Sequence, residues 1–268
     1  MAEILREYFG FGGYKRPAAG GYSWQHLLFV TLLMAVMTAL AVFFGTRNRT
    51  RDDAAKNRVL IVAAIILDSL ELFKIVLFCF RAKDPLNWLS DLPLFLCSIQ
   101  LITVPLAAFS KGRVREAALD FVSIFGILGA VAGTYGAAQM YNANPVISFD
   151  NNVSGVTHAI SGFCSLYILI AGMASMKKRN IGITFGIMGF FCAAAYVMDL
   201  INDRLGYQNN YMFLMRGDGT PYDIAYNLVN GNRVLYPLLV VLLFIAYIAL
   251  FYLVFYLKKK TPYKRSAE

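Results

Sequence analysis

A thiol, an imidazole, an amine and several carboxylates stand inside apolar stretches of this 268-residue chain. Charge there is costly and usually marks function or pairing. Cys97 and His158 carry the chemistry: a thiol attacks as its thiolate, a form that a neighbouring histidine or ammonium favours. With Cys97 as nucleophile, His158 as base and Lys74 as charge stabiliser, the set suits acyl transfer or lipid hydrolysis. Glu71 or Asp199 would orient one of the three. Asp68, Glu71 and Lys74 follow one another at three-residue steps, so Glu71 and Lys74 can meet on one helix face. A self-neutralising ion pair is the plainer reading of those two. Gln100, and Asn210 in a later loop, complete the polar candidates. A lone intramembrane histidine among dispersed carboxylates lacks the two-histidine spacing of a helical metal site, and no metal or other cofactor is expected. His26, at the start of the first apolar run, reads as an interfacial residue. Cys79, Cys164 and Cys192 read as small apolar fillers.

The elements that must position these groups follow from composition. The chain is 58% hydrophobic and 15% charged, against roughly 25% charged in a soluble domain. A bilayer core of roughly 30 Å needs roughly 20 apolar residues in a helix. Seven runs qualify: Trp24–Phe44, Val59–Phe80, Asp91–Phe109, Ala117–Ala137, Ser154–Ala174, Ile181–Ile201 and Val234–Leu257. The last contains no lysine, which excludes retinal-type photochemistry. The expected fold is an all-α membrane protein, a single seven-transmembrane-helix bundle over residues 1–268. Span four (Gly126, Gly129, Gly133, Gly136) and span six (Gly182, Gly186, Gly189) carry small residues that allow close helix approach. We assign these glycines to packing alone.

Lysine and arginine bias sets the orientation. The first loop (Arg47, Arg49, Arg51, Lys56, Arg58) and the tail from Lys258 to Arg265 are rich, whereas the second loop has Arg81 and Lys83 and the fourth has neither type. The N-terminus is therefore placed outside and the C-terminus in the cytoplasm. The net charge of +9 is mostly this bias, and no nucleic-acid partner is expected. The tail cluster anchors the last span, with contact to anionic lipid heads as its alternative. The outer loop Asn202–Arg233, with its tyrosines, is expected to pack over the mouth of the bundle as a lid or to anchor at the interface.

Depth then links the residues. At roughly 1.5 Å per residue, Lys74 lies about 9 Å, Glu71 about 13 Å, Cys97 about 9 Å and His158 about 6 Å below the outer boundary. Asp199 is within a turn of it. Four helices thus place polar groups at one level, and we infer a polar cavity opening outward. Towards the cytoplasmic half, span two shows no polar residue below Asp68, and span four is read as showing only Ser123.

Two short motifs carry a family resemblance. Span three reads Leu92-Pro93-Leu94-Phe95-Leu96-Cys97, and the sixth loop reads Asn210-Tyr211-Met212-Phe213-Leu214, followed by Pro221 and Asp223. The chain resembles the YwaF-like family of bacterial integral membrane proteins. That family is more remotely similar to a eukaryotic transmembrane ether-phospholipid acyltransferase that uses a cysteine with a histidine. The resemblance implies that His158 matches the histidine. The family commonly has His where this chain has Phe95. The eukaryotic cysteine follows the proline directly, where this chain has Leu94, and Cys97 lies one helical turn away. The function expected is that of a multi-pass bacterial plasma-membrane protein acting on an acyl lipid, with membrane lipid as its environment and substrate. The alternative is a transporter or binding protein that uses the same cavity without covalent chemistry, with Asp68, Glu71, Lys74 and Asp199 as contacts.

Overall fold

The computed structural model describes residues 2–260, with side chains to 257. The basic cluster from Lys258 to Arg265 lies outside those side chains. Among the described residues the fold is all-helical: α1 (Ala2–Tyr8), α2 (Trp24–Asn48), α3 (Asp53–Ala82), α4 (Gln100–Phe109), α5 (Gly112–Tyr135), α6 (Ala138–Ala143), α7 (Phe149–Ile170), α8 (Ile181–Leu205), α9 (Tyr222–Leu228) and α10 (Leu235–Lys260). Local chemistry sets the ends. Ser23, Asp52 and Ser148 each accept a hydrogen bond from the third residue beyond, capping α2, α3 and α7. Gly206, at φ 85°, closes α8 in the left-handed region that a glycine adopts freely.

Five helices are long and apolar enough to cross a bilayer: α2, α5, α7, α8 and α10. The protein is thus a multi-pass, all-helical membrane protein. At its centre α5 and α7 pack together along their length, with α2 on α7, α4 on α5, and α3 against both α4 and α7. The α8–α10 pair joins through α5. Phe121, Phe125, Ile124 and Tyr236 fill the core on that side, and Leu60, Leu119 and Tyr167 fill it on the other.

The run expected as one span over Asp91–Phe109 is helical only from Gln100. Ten residues rise about 15 Å, half a bilayer core. Pro93 explains the break, because a proline pushes the residue before it out of the helical region. Non-helical backbone at such depth survives only where protein satisfies it. Here the Leu92 amide donates to the Tyr211 hydroxyl, which itself donates to the Leu89 carbonyl at 2.5 Å, and Asn202 and Asn209 donate to that same carbonyl.

Two ends of the bundle are pinned by hydrogen bonds. At one, Asn57 donates to the Ala108 carbonyl, Tyr167 to the Lys56 carbonyl and Arg113 to the Arg179 carbonyl. At the other, Arg81 pairs with Asp150 at 2.5 Å, and Arg16 donates to the Ile147 carbonyl.

Candidate functional site

Three glycines on one face of α5 shape the site. A Cβ on Gly129 would stand 3.1 Å from the Cys97 Cα, and one on Gly126 would press into Ser165 at 2.6 Å. A Cβ on Gly133 would overlap the imidazole of His158. The missing side chains let the 91–99 segment and the α7 histidine both lie directly on α5. Gly129 and Gly133, assigned to packing alone from sequence, therefore form the floor under Cys97 and His158, while Gly126 seats Ser165 of α7.

One ring nitrogen of His158 is committed. Its Nδ1 lies 2.6 Å from the Ser154 carbonyl, an acceptor only, so Nδ1 donates there and Nε2 is the nitrogen left for another partner. Nε2 is buried and closes no hydrogen bond of ordinary geometry. The thiol that the ring interacts with is that of Cys97, each side chain being the other's neighbour. His26 supplies the contrast. Its Nδ1 accepts from the Tyr22 amide, its Nε2 lies 3.1 Å from the Thr134 carbonyl, and its ring stacks on Tyr141 at 3.8 Å. Both nitrogens are spent and the ring is fully buried, so His26 is a packed, hydrogen-bonded residue near the start of α2.

Lys74 reaches this pair from α3. Its ammonium lies 2.5 Å from Glu71 and 3.5 Å from Asp91, and its charge acts on both Cys97 and His158. Asp91 escaped the sequence reading because it marked only the edge of an apolar run. Asp68 feels the charge of Glu71, and one of its oxygens is buried without a hydrogen-bond partner. Gln100 is fully buried one turn beyond Cys97. Its Oε1 accepts from Thr103 at 3.1 Å, while its Nε2 is unpartnered.

Asp199 and Asn210 serve elsewhere. Asp199 accepts from the Tyr211 amide at 2.8 Å. Asn210 donates to the Arg216 carbonyl at 2.6 Å and to Asp218 at 2.7 Å, and accepts from the Met215 amide. Together they shape the loop after α8, whose Tyr211 ring packs on Phe95 at 4.8 Å. That loop braces the segment carrying Cys97. The groups read at one depth thus resolve into two clusters: Cys97, His158, Lys74 and Glu71 in one, joined by Asp91, and Asp199 in the other, joined by Asn210.

At the opposite end stands a buried carboxylate that the sequence reading passed over. Asp120 of α5 accepts from the Ser175 and Met176 amides at 2.8 and 2.9 Å and from the Tyr252 hydroxyl at 3.1 Å. Its acceptors are spent on tying α5 to α10 and to the loop before α8, so it is a brace. An apolar furrow of about 560 Å³ runs between α2, α3 and α7, past Leu33, Val62 and Phe163. Its α7 wall (Val156, Ala159, Ile160, Phe163) is the face turned away from His158 at helical spacing.

No curated protein and no solved structure matches this chain. A sequence profile of the TMEM164 family matches residues 21–255, a stretch that takes in every helix from α2 to α9, most of α10 and both clusters. With nearly the whole described bundle inside that match, the chain belongs to the TMEM164 family.

Proposed function

We propose that this protein transfers or hydrolyses the acyl group of a membrane lipid, with Cys97 as nucleophile and His158 as general base. The observation that carries this reading is the seat of the His158 ring. A histidine whose Nδ1–H is committed to Ser154 leaves Nε2 as the nitrogen for the neighbouring free thiol of Cys97, the arrangement that activates a nucleophile. His158 takes the thiol proton as sulfur attacks the ester carbonyl carbon. The carbon–sulfur bond forms, the carbon–oxygen bond breaks, and the departing alkoxide takes the proton back from His158. A lipid hydroxyl or water then attacks the thioester and releases Cys97. Lys74, held by Glu71 and Asp91, supplies positive charge beside the developing anion.

Membrane placement belongs to the same proposal. Seven crossings, with the N-terminus outside and the site beneath the outer headgroups of a bacterial plasma membrane, fit the basic residues gathered at the Asn57–Ala108 end. The Leu92–Cys97 and Asn210–Leu214 motifs support a likeness to the YwaF-like proteins. A carrier needs polar groups continuing to the far side; the closed hydrogen bonding of Asp120 favours the one-sided, enzymatic reading.

The test is labelling of purified protein in detergent by a lipid-like chloroacetamide. Wild type is expected to react at Cys97, His158→Ala at least about ten-fold more slowly, and Cys97→Ala not at all. Equal labelling of all three rejects the covalent mechanism.

A further inference from the structure

We infer that Gln100 is the oxyanion donor of this site, its side-chain amide receiving the negative oxygen that forms when Cys97 attacks an ester. The inference rests on the acyl-transfer reading above and names a residue in it. Attack at a carbonyl needs donors aimed at where charge develops, and those donors are unpaired while the site is empty. Gln100 meets that description. It is completely buried, yet its Nε2 has no partner, and an amide buried unpaired is costly to keep unless it serves a ligand. Its Oε1 is fixed by the Thr103 hydroxyl, which leaves the NH2 free to donate.

Position supports the role. The Ser98 and Ile99 amides both bond the Phe95 carbonyl, so a helical turn begins at Phe95 and runs into α4. Cys97 and Gln100 stand three residues apart across that turn, a spacing that brings side chains together on one side. Cys97 stands in the turn that leads into α4 and Gln100 is the first residue of α4, so the thiol lies by the helix start, where the dipole favours an anion. The buried amide, unpartnered and three residues from the thiol, is the donor this stretch leaves available. Lys74 cannot take its place alone, since its ammonium is already shared between Glu71 and Asp91.

The two reactions of a thiol separate this role from a structural one. Alkylation by chloroacetamide forms carbon–sulfur, expels chloride and develops no oxyanion. Acylation by a p-nitrophenyl ester forms carbon–sulfur, breaks carbon–oxygen, expels p-nitrophenolate and passes through one. Wild type, Gln100→Ala and Gln100→Met, as full-length protein in detergent, are compared in both reactions at Cys97. The expected result is acylation slowed about 100-fold or more in both variants, with alkylation within about two-fold of wild type; the retained alkylation also reports an intact site. Acylation undiminished, or both reactions falling together in both variants, overturns the assignment. A wild-type protein that is alkylated at Cys97 but never acylated brings down the acyl-transfer reading itself, and the donor role with it.

Discussion

Two substitutions isolate what single residues contribute. Gly133→Ala places a methyl group where the His158 ring now lies, so either α5 and α7 part or the ring leaves Cys97. Overpacking of this kind costs about 1–3 kcal/mol, and removing a positioned base costs about 100-fold or more. We expect a lowered thermal midpoint together with at least that loss in Cys97 acylation; full activity would show that the ring does not need its present seat. Lys74→Met leaves Glu71, whose side chain is 10% exposed, and Asp91 without their cation. Breaking a buried pair from one side costs about 3–5 kcal/mol. Lys74→Met/Glu71→Gln/Asp91→Asn should recover most of that stability in denaturant unfolding while leaving acylation low, which separates structural charge balance from catalysis. Depth made Cys97, His158, Lys74 and Glu71 legible from sequence, because apolar run length counts residues from a boundary. It could not place Asp199, which was read at the same level and differs in azimuth about the bundle axis, a coordinate that only helix packing supplies; Asn210 lies in a loop, to which run length assigns no depth.

Among the elements, the segment between α3 and α4 is the one that sequence alone misassigned. Hydropathy averages over a window and treats Pro93 as one apolar residue; the tyrosine that stitches the broken backbone comes from position 211. Tyr211→Phe removes the hydroxyl that serves both the Leu92 amide and the Leu89 carbonyl. The expected cost is about 1–3 kcal/mol, seen as faster amide hydrogen exchange confined to residues 89–99 and slower Cys97 acylation. Exchange unchanged there would mean that Asn202 and Asn209 hold Leu89 without it. A second clamp on this end has a pH signature. The Tyr207 hydroxyl donates to Asp84 at 2.5 Å, with help from the Leu86 amide, and this holds the Asp84 carboxyl below its ordinary range. A carboxylate depressed in the folded state stabilises it above the unfolded value, near 3.9, and that contribution fades as pH falls through the folded one. Tyr207→Phe should therefore lower the thermal midpoint at pH 6 and flatten its decline below about pH 4. Parallel pH profiles for variant and wild type would count against the clamp.

For the molecule as a whole, the broken third run raises the question of which side each loop occupies. A ten-residue helix does not span a bilayer, yet the chain still changes ends between α3 and α5. It leaves α3 beside Arg81, whose partner is Asp150, and by Ala108 it has reached Asn57, at the start of α3. On the proposed seven-crossing arrangement, turn and short helix together count as one crossing, which keeps the alternation of sides derived from unbroken spans. The basic residues of the Arg47–Arg58 loop then stay on the side opposite the loop between α5 and α7. Placing single cysteines at exposed Thr50 and exposed Ala143, in a Cys97→Ala background, tests this directly in intact cells. Ala143→Cys should react with a membrane-impermeant maleimide from outside, and Thr50→Cys only after the cells are opened. The reverse pattern would invert the protein and put the thiol site beneath the cytoplasmic leaflet. Reaction of both from outside would mean that the segment around Cys97 dips in and returns, and that the parity argued from Asn57 and Ala108 is wrong.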